Sequence, residues 1–180
     1  MDQAFSAIPT AKIWKYAQEE REVRFLLPKA PEGLYKNPHK EIHDRYLTGT
    51  RMRLRKTVAK TQTVFKLTKK IPLTATTVQW ISTIYLSEAE YSLFSMMPGD
   101  QLYKRRFSLK HPHGLDMGID EIILGKETIW IAEIEYQSTD QQEIPIPFSG
   151  AIPLHDQPQY AGNVLASRYQ RESIDSPSHI

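Results

Sequence analysis

Apolar and polar residues alternate along most of this chain, with the period of two that is typical of β-strands presenting two different faces. The alternating segments are 21–27, 42–47, 50–56, 63–70, 77–86, 101–109, 117–124 and 129–136. Mostly short connections join them, which favours pairing between antiparallel neighbours. The pattern therefore predicts about eight strands in a large antiparallel sheet or barrel.

Two further segments predict helices. Residues 87–97 begin with Ser87 and carry Glu90 three positions later, which is the pattern of a capping box, and Pro98-Gly99 would end the helix. Residues 160–170 also have a helical pattern. The expected fold class is α+β and mainly β, with the helices flanking the strands.

The polar faces of the predicted strands carry charges that are sorted by sign. In the stretch EEREVRF, Glu20, Glu22 and Arg24 point to one side of a strand, opposite Val23 and Phe25. Four other sorted faces are formed by Arg51, Arg53 and Arg55, by Lys66 and Lys70, by Lys104 and Arg106, and by Glu133 and Glu135. Each face alone is explained as well by the solvent-exposed side of a sheet. Their repetition indicates that acids gather in one place and bases in another.

Such sorting changes the chemistry that we expect. A row of like charges costs stability unless an ion of opposite sign joins it. Clustered carboxylates without cysteine, which the chain lacks, suit a hard cation such as Mg²⁺ or Mn²⁺. Clustered Lys and Arg suit phosphate groups. Together they predict a metal-assisted phosphoryl-transfer site.

The composition sets further limits. The net charge of +2 is too small to indicate nucleic-acid binding by itself. No GxxxxGK[ST] motif is present, so the chain is not a P-loop NTPase. The sequence shows neither a secretion signal nor an apolar run of membrane-spanning length, so we expect a cytoplasmic protein without membrane partners.

The order of the charged motifs resembles that of the CYTH superfamily, also called triphosphate tunnel metalloenzymes. The motifs are Glu20-x-Glu22, MRLR, LTKK, Lys104-x-Arg106, IDEI and AEIEY, followed by YAGNVLA in the last predicted helix. The resemblance runs from about Tyr16 to Tyr169. It implies an eight-stranded antiparallel β-barrel whose tunnel binds triphosphate compounds together with a divalent metal. Activities in this superfamily include inorganic triphosphatase, thiamine triphosphatase, RNA triphosphatase and class IV adenylate cyclase.

The resemblance also implies roles for single residues. The positions that match metal-binding acids are Glu20, Glu22, Asp120, Glu133 and Glu135. The positions that match phosphate-binding bases are Arg53, Arg55, Lys70, Lys104 and Arg106, and Lys66 joins them because it shares a strand face with Lys70. The superfamily signature Glu-x-Glu-x-Lys has Arg24 in its lysine position here. Arginine binds phosphate but does not give up its proton near neutral pH, so we expect Lys104 and Arg24 to share the catalytic work, with Lys104 taking any role as a base.

The sequence thus predicts a divalent-metal-dependent hydrolase of inorganic triphosphate, another short polyphosphate or an organic triphosphate, with Mg²⁺ or Mn²⁺ as cofactor. Alternatives are a tunnel that binds such ligands without turnover, a class IV adenylate cyclase, and an RNA-binding barrel, which would leave the acidic strands unexplained. A homodimer is compatible with the sequence. The expected organisation is an extension over residues 1–15, a tunnel domain over 16–170 and a flexible tail over 171–180.

Overall fold

The computed structural model describes residues 15–72, 78–137 and 144–175. The strands are β1 (Gln18–Leu27), β2 (His39–Leu47), β3 (Met52–Ala59), β4 (Gln62–Pro72), β5 (Val78–Leu86), β6 (Gly99–Lys110), β7 (Asp116–Leu124), β8 (Glu127–Glu135) and the short β9 (Ile152–Pro153). The helices are α1 (Glu88–Ser95) and α2 (Gly162–Asp175), and single 3₁₀ turns lie at Leu34–Lys36 and Pro158–Tyr160. The fold class is confirmed, because each predicted strand corresponds to one of β1–β8.

The strands β1–β8 close into an antiparallel barrel in the order β5, β4, β3, β2, β6, β7, β8, β1, with β1 returning to β5. Residues 18–21 of β1 pair with β5, whereas residues 22–27 pair with β8. This exchange of neighbours along one strand closes the ring. The strand β9 pairs with Phe25 and Leu26 of β1.

Several strands extend beyond their predicted limits because pairing continues where alternation stops. The strand β2 starts at His39 rather than at residue 42, and His39 pairs with Phe107 of β6. The helix α1 begins as predicted: the Ser87 side chain accepts a hydrogen bond from the Glu90 amide at 3.3 Å, and the Glu90 carboxylate accepts one from the Ser87 amide at 2.7 Å.

The main apolar core lies on the outer face of the barrel. Phe25, Phe107 and Ile119 are buried there, on strand positions that alternate with charged inner residues. Leu34 and Ala151, from the connecting segments outside the barrel, cover them. A smaller outer cluster around Leu47, Leu54 and Leu67 is covered by Tyr91 and Phe94 of α1. The barrel interior is therefore mainly polar, except for an inner apolar group that includes Leu102, Ile122 and Ile131 and packs against Leu165 of the C-terminal helix.

The helix α2 packs against the barrel where β2 ends and β6 begins. Its residues Leu165 and Ala166 are buried against a cluster that includes Ile122 and Ile131. At the start of the helix, a Cβ atom added to Gly162 would lie 2.8 Å from Cζ of Tyr46, so glycine permits this close approach.

The predicted domain limits stay predictions. Residues 1–14 and 176–180 lie outside the described residues, and α2 continues past residue 170 to Asp175. Within the described ranges, no helix is both long and apolar enough to cross a membrane.

Candidate active site

A cavity of about 680 Å³ occupies the barrel interior. Its lining includes every carboxylate that was predicted to bind metal, namely Glu20, Glu22, Asp120, Glu133 and Glu135. It also includes Arg24, Arg53, Arg55, Lys70, Lys104 and Arg106 from the predicted phosphate-binding set. Side chains that are far apart in the sequence therefore meet around one cavity, while their roles stay predictions.

Strand register explains why these side chains meet. Residues directly opposite each other on antiparallel strands point to the same face. Glu22 is opposite Glu135, and Arg24 is opposite Glu133, across the β1–β8 pair. Arg106 is likewise opposite Asp120 across β6 and β7. Since alternate residues share a face, each motif of the form charge-x-charge delivers both of its charges to the interior.

One wall of the cavity is organised by Asp44, a residue that sequence analysis missed. Its carboxylate accepts hydrogen bonds from Arg55 Nε at 2.6 Å and Arg55 Nη2 at 2.7 Å, and Arg53 Nε lies 3.6 Å away. The Asp44 side chain is fully buried. Burial would raise the pKa of Asp44, but Arg55 and Arg53 outweigh it and hold that pKa well below its usual range. Asp44 therefore fixes both arginines as cations.

On the opposite wall, most carboxylates are held by bases. Glu20 contacts Lys70 Nζ at 2.5 Å and accepts a hydrogen bond from the side-chain amide of Gln79, Nε2, at 2.6 Å. Asp120 is contacted by Lys104 and accepts two hydrogen bonds from Arg106, at 2.5 and 2.6 Å. Gln79 was not singled out in the sequence, because an amide within a strand carries no charge signal.

Glu133 lies between two bases. It accepts a hydrogen bond from Arg106 and has Arg24 Nε at 3.3 Å. Burial opposes ionisation of Glu133, but Arg106, Lys104 and Arg24 hold its pKa well below the usual range. Glu133 is therefore an anion at neutral pH and connects the basic strand β6 to Arg24.

The charge of Glu22 is only weakly compensated. Its nearest charge partner is Arg24 Nε, at 3.7 Å. Burial, and then the negative charge of Glu133, raise the pKa of Glu22 to about 7, despite Lys70 and Arg24 nearby. An added cation at this place would relieve the repulsion, and the carboxylates there supply the oxygen ligands that Mg²⁺ and Mn²⁺ prefer.

The carboxylates that line the cavity fit a divalent cation, because they supply oxygen ligands and negative charge. No three acidic or imidazole side chains among them are already arranged to hold an ion. The reason lies in the contacts above, since Glu20, Asp120 and Glu133 are directed at bases.

Two arginine N–H groups in the site do not donate a hydrogen bond to any described residue. Arg24 Nε and Arg53 Nε are buried and form no hydrogen bond within the described part of the chain. Buried donors of this kind normally have an acceptor. Both residues line the cavity, so an anion bound there would supply the missing acceptors.

The two residues expected to be catalytic lie in different environments. Lys104 is buried, and burial followed by Arg106 lowers its pKa even though Asp120 opposes this. Burial would also lower the pKa of Arg24, but Glu133 and Glu22 raise it, so Arg24 stays protonated. Arg24 Nη2 also donates a hydrogen bond to the Tyr160 carbonyl at 3.0 Å, which links the cavity to the segment before α2.

Lys66 does not line this cavity. Its register partner is Arg55, so it lies on the inner face of the barrel, but its Nζ is 4.8 Å from the centre of the Tyr85 ring. Lys40, which the sequence analysis did not select, also lies on this face because it is opposite Arg106. Sequence analysis missed Lys40 because it is not part of a charge-x-charge motif with a second base.

No protein-family model matches the sequence, and no curated protein matches it. Solved structures do resemble it. The inorganic triphosphatase NE1496 superposes with a TM-score of 0.53 at 21% identity, over 82% of this chain and 93% of that chain. A second structure, of the hypothetical protein NE1496, has the same TM-score of 0.53 and identity of 21%, over 82% of this chain and 97% of that chain. The PH1819 protein from Pyrococcus horikoshii OT3 has a TM-score of 0.49 and an identity of 17%, over 68% of this chain and 81% of that chain.

At these identities the likeness to NE1496 concerns the fold. It matches what the motifs implied, a closed antiparallel barrel with a charged interior. The chain therefore shares the fold of NE1496, and a closed antiparallel barrel is also what the resemblance to the CYTH superfamily implied.

Proposed function

We propose that this protein is a divalent-metal-dependent phosphohydrolase that cleaves inorganic triphosphate, or another short polyphosphate or organic triphosphate, inside the barrel. The observation that carries the proposal is the meeting of bases from β1, β3, β4 and β6 with acids from β1, β7 and β8 around one cavity. The buried Nε atoms of Arg24 and Arg53 form no hydrogen bond in the described structure, although carboxylates lie 3.3 and 3.6 Å from them, and this supports an anionic ligand. The inorganic triphosphatase NE1496, which shares the fold, supports this reaction class.

The bases would bind the non-bridging oxygens of the phosphate chain. Arg53 and Arg55 are held in place by Asp44, and Arg106 by Asp120 and Glu133, so these guanidinium groups need little rearrangement. Arginine can contact phosphate through two nitrogens at once. Charge held ready in a partly enclosed site stabilises the transition state of phosphoryl transfer.

The residues that would hold the metal are Glu20, Glu22, Glu133 and Glu135, which line the cavity. A divalent cation bound there would neutralise phosphate charge and lower the pKa of a bound water molecule. Asp120, the fifth predicted ligand, contacts Lys104 and Arg106. Ligation through Asp120, as through Glu20 and Glu133, would need the bases that these carboxylates contact to turn toward the phosphate.

Hydrolysis consumes one water molecule. An oxygen–phosphorus bond forms to the terminal phosphorus, the bridging oxygen–phosphorus bond breaks, and triphosphate becomes diphosphate and phosphate. Arg24, which stays protonated, would balance charge on the phosphate chain. Lys104 lies buried beside Asp120, and its role in moving the water proton stays a hypothesis.

The test is phosphate release from inorganic triphosphate, ATP, thiamine triphosphate and longer polyphosphate, with Mg²⁺, Mn²⁺ or a chelator. We expect release from triphosphate that requires a divalent metal. Tight binding without release would replace the proposal by the non-hydrolytic tunnel, and cyclic AMP formed from ATP would replace it by a cyclase. Affinity for RNA that grows with RNA length and falls steeply with salt would favour the RNA-binding alternative.

A further inference from the structure

One edge of the strand β5 is only half covered. On one side, β5 pairs with β4 from Gln79 to Leu86. On its other side, β1 pairs only with residues 78–81 of β5, because β1 starts at Gln18 and the residues before it, Lys15 and Tyr16, lie in a turn. Among residues 15–72, 78–137 and 144–175, no strand pairs with residues 82–86 on this side. We call residues 82–86 the open edge.

The composition of the open edge favours pairing with a further strand. An edge strand presents backbone N–H and C=O groups without partners, and natural proteins commonly block such edges with lysine, proline or a bulge. Residues 82–86 read STIYL, with no charged residue and no proline. Threonine, isoleucine and tyrosine are residues that strands prefer. The open edge therefore lacks the residues that prevent pairing with another chain.

Large apolar side chains lie exposed at the open edge. Ile84 is 55% exposed and Tyr85 is 71% exposed. They point to opposite faces of β5, since Ile84 is opposite Leu67 of the outer face and Tyr85 is opposite Lys66 of the inner face. Tyr16, two residues before the start of β1, is 83% exposed. Exposed apolar side chains beside an unpaired strand edge indicate an interaction surface.

A second copy of this chain fits the open edge because the edge is complementary to itself. When two such edges run antiparallel about a two-fold axis at Ile84, each Ile84 meets the Ile84 of the other copy, and Thr83 lies opposite Tyr85 of the other copy. Pairs of an aromatic and a β-branched residue stabilise antiparallel strands. No like charges meet, because the open edge is uncharged. Two-fold dimers are also the commonest oligomers of identical chains.

We propose that the protein forms a two-fold dimer in which β5 of one copy pairs antiparallel with β5 of a second copy through residues 82–86, with Ile84 at the axis. Two strands of five residues bury less than the roughly 800 Å² per partner of a standard interface. The dissociation constant should therefore lie in the micromolar range. The charged residues of the cavity take no part in this contact, so it is independent of the proposed hydrolysis.

The first experiment measures molecular mass by sedimentation equilibrium of the full chain, over about 1–300 μM. The mass should rise from 20.8 kDa toward twice that value as the concentration increases. Ile84→Lys should raise the dissociation constant about tenfold or more, because two lysines would face each other at the axis. The matched control is Ile123→Lys on β7, at a position 46% exposed, and it should leave the dissociation constant unchanged.

The second experiment uses disulfide formation and tests the register. The chain has no cysteine, so a single introduced thiol can link only to its own copy. Ile84→Cys should form a linked dimer on oxidation, because directly opposite residues have Cβ atoms about 4.5–5.5 Å apart, which small shifts bring within disulfide range. Thr83→Cys should link far less, because its opposite residue is Tyr85 of the second copy. Circular dichroism checks that each variant is folded.

Two results overturn the proposal. The first is a mass of 20.8 kDa at every concentration. Hydrogen exchange would then show whether the amides of residues 82–86 are protected by another segment of the same chain or are open to solvent. The second is a dimer that Ile84→Lys does not weaken and that Ile84→Cys does not link, which would place the dimer interface elsewhere on the surface.

Discussion

Asp44 and Arg55 face each other across β2 and β3 and form a two-pronged ion pair inside the barrel, with nitrogen–oxygen distances of 2.6 and 2.7 Å. The same carboxylate lies 3.6 Å from Arg53 Nε. One buried anion thus supports two of the cations that line the cavity. Since a strongly basic wall cannot stand without compensation, we expect both stability and ligand binding to depend on Asp44.

Asp44→Asn keeps the shape of the side chain and removes its charge. It should lower the free energy of unfolding by about 3–5 kcal/mol, because two largely buried arginines lose their counter-ion. Denaturant-induced unfolding measures this. The control is Glu127→Gln, which removes an exposed carboxylate paired with Arg168 at 2.7 Å and should cost about 0–1 kcal/mol. Equal losses in the two variants would contradict the role given to Asp44.

The same variant predicts a dependence on pH. Because the pKa of Asp44 is held below its usual range in the folded protein, its contribution to stability is complete above the unfolded pKa of about 3.9 and is lost as the pH falls below that value. The difference in unfolding free energy between the unaltered protein and Asp44→Asn should therefore shrink as the pH is lowered from 7 to about 3. A difference that stays constant over this range would show that Asp44 carries no such pKa shift.

The double variant Glu133→Gln, Glu135→Gln tests the carboxylates that are expected to hold the metal. Phosphate release that depends on Mg²⁺ or Mn²⁺ should be abolished, because two of the four carboxylates expected to hold the metal lose their charge. The matched control is Glu88→Gln with Glu127→Gln, which removes two exposed carboxylates outside the cavity. Unchanged metal-dependent release in the Glu133 and Glu135 variant would rule out the metal assignment.

Lys104 can be tested by separating charge from proton transfer. Lys104→Arg keeps a cation in the cavity but cannot release its proton near neutral pH. If Lys104 moves a proton, this variant should lower kcat by about a hundredfold or more with a smaller effect on KM. Lys104→Met should impair both. Full kcat in Lys104→Arg would reduce the role of Lys104 to charge alone, and Lys56→Arg serves as the control on the outer face.

Arg24→Lys introduces the lysine of the signature that the sequence resembles. Because Arg24 Nη2 donates a hydrogen bond to the Tyr160 carbonyl at 3.0 Å, the change should lower the free energy of unfolding by about 1 kcal/mol. Turnover should persist, since a cation remains beside Glu22 and Glu133, whereas Arg24→Met should lower kcat/KM about tenfold or more. Loss of turnover in Arg24→Lys comparable to that in Arg24→Met would show that the guanidinium group itself is required.

The sequence by itself determined which residues form strands and which of them share a face. Alternation with a period of two assigns Glu20 with Glu22, and Glu133 with Glu135, to one side of a strand whatever that strand pairs with. This local rule predicted the mainly β fold, and together with the resemblance to the CYTH superfamily it selected most of the charged residues that line the cavity. It also placed Lys66 correctly on the inner face, without showing how far along the barrel it lies.

Only the tertiary structure decided which charges became partners. Alternation specifies the face of a side chain but neither the neighbouring strand nor the register. That β2 lies between β3 and β6 is what brings Asp44 to Arg55 and Lys40 to Arg106. Closure of the barrel likewise depends on β1 changing neighbours from β5 to β8. These contacts join residues far apart in the chain, and their energies depend on burial and distance, which no local pattern contains.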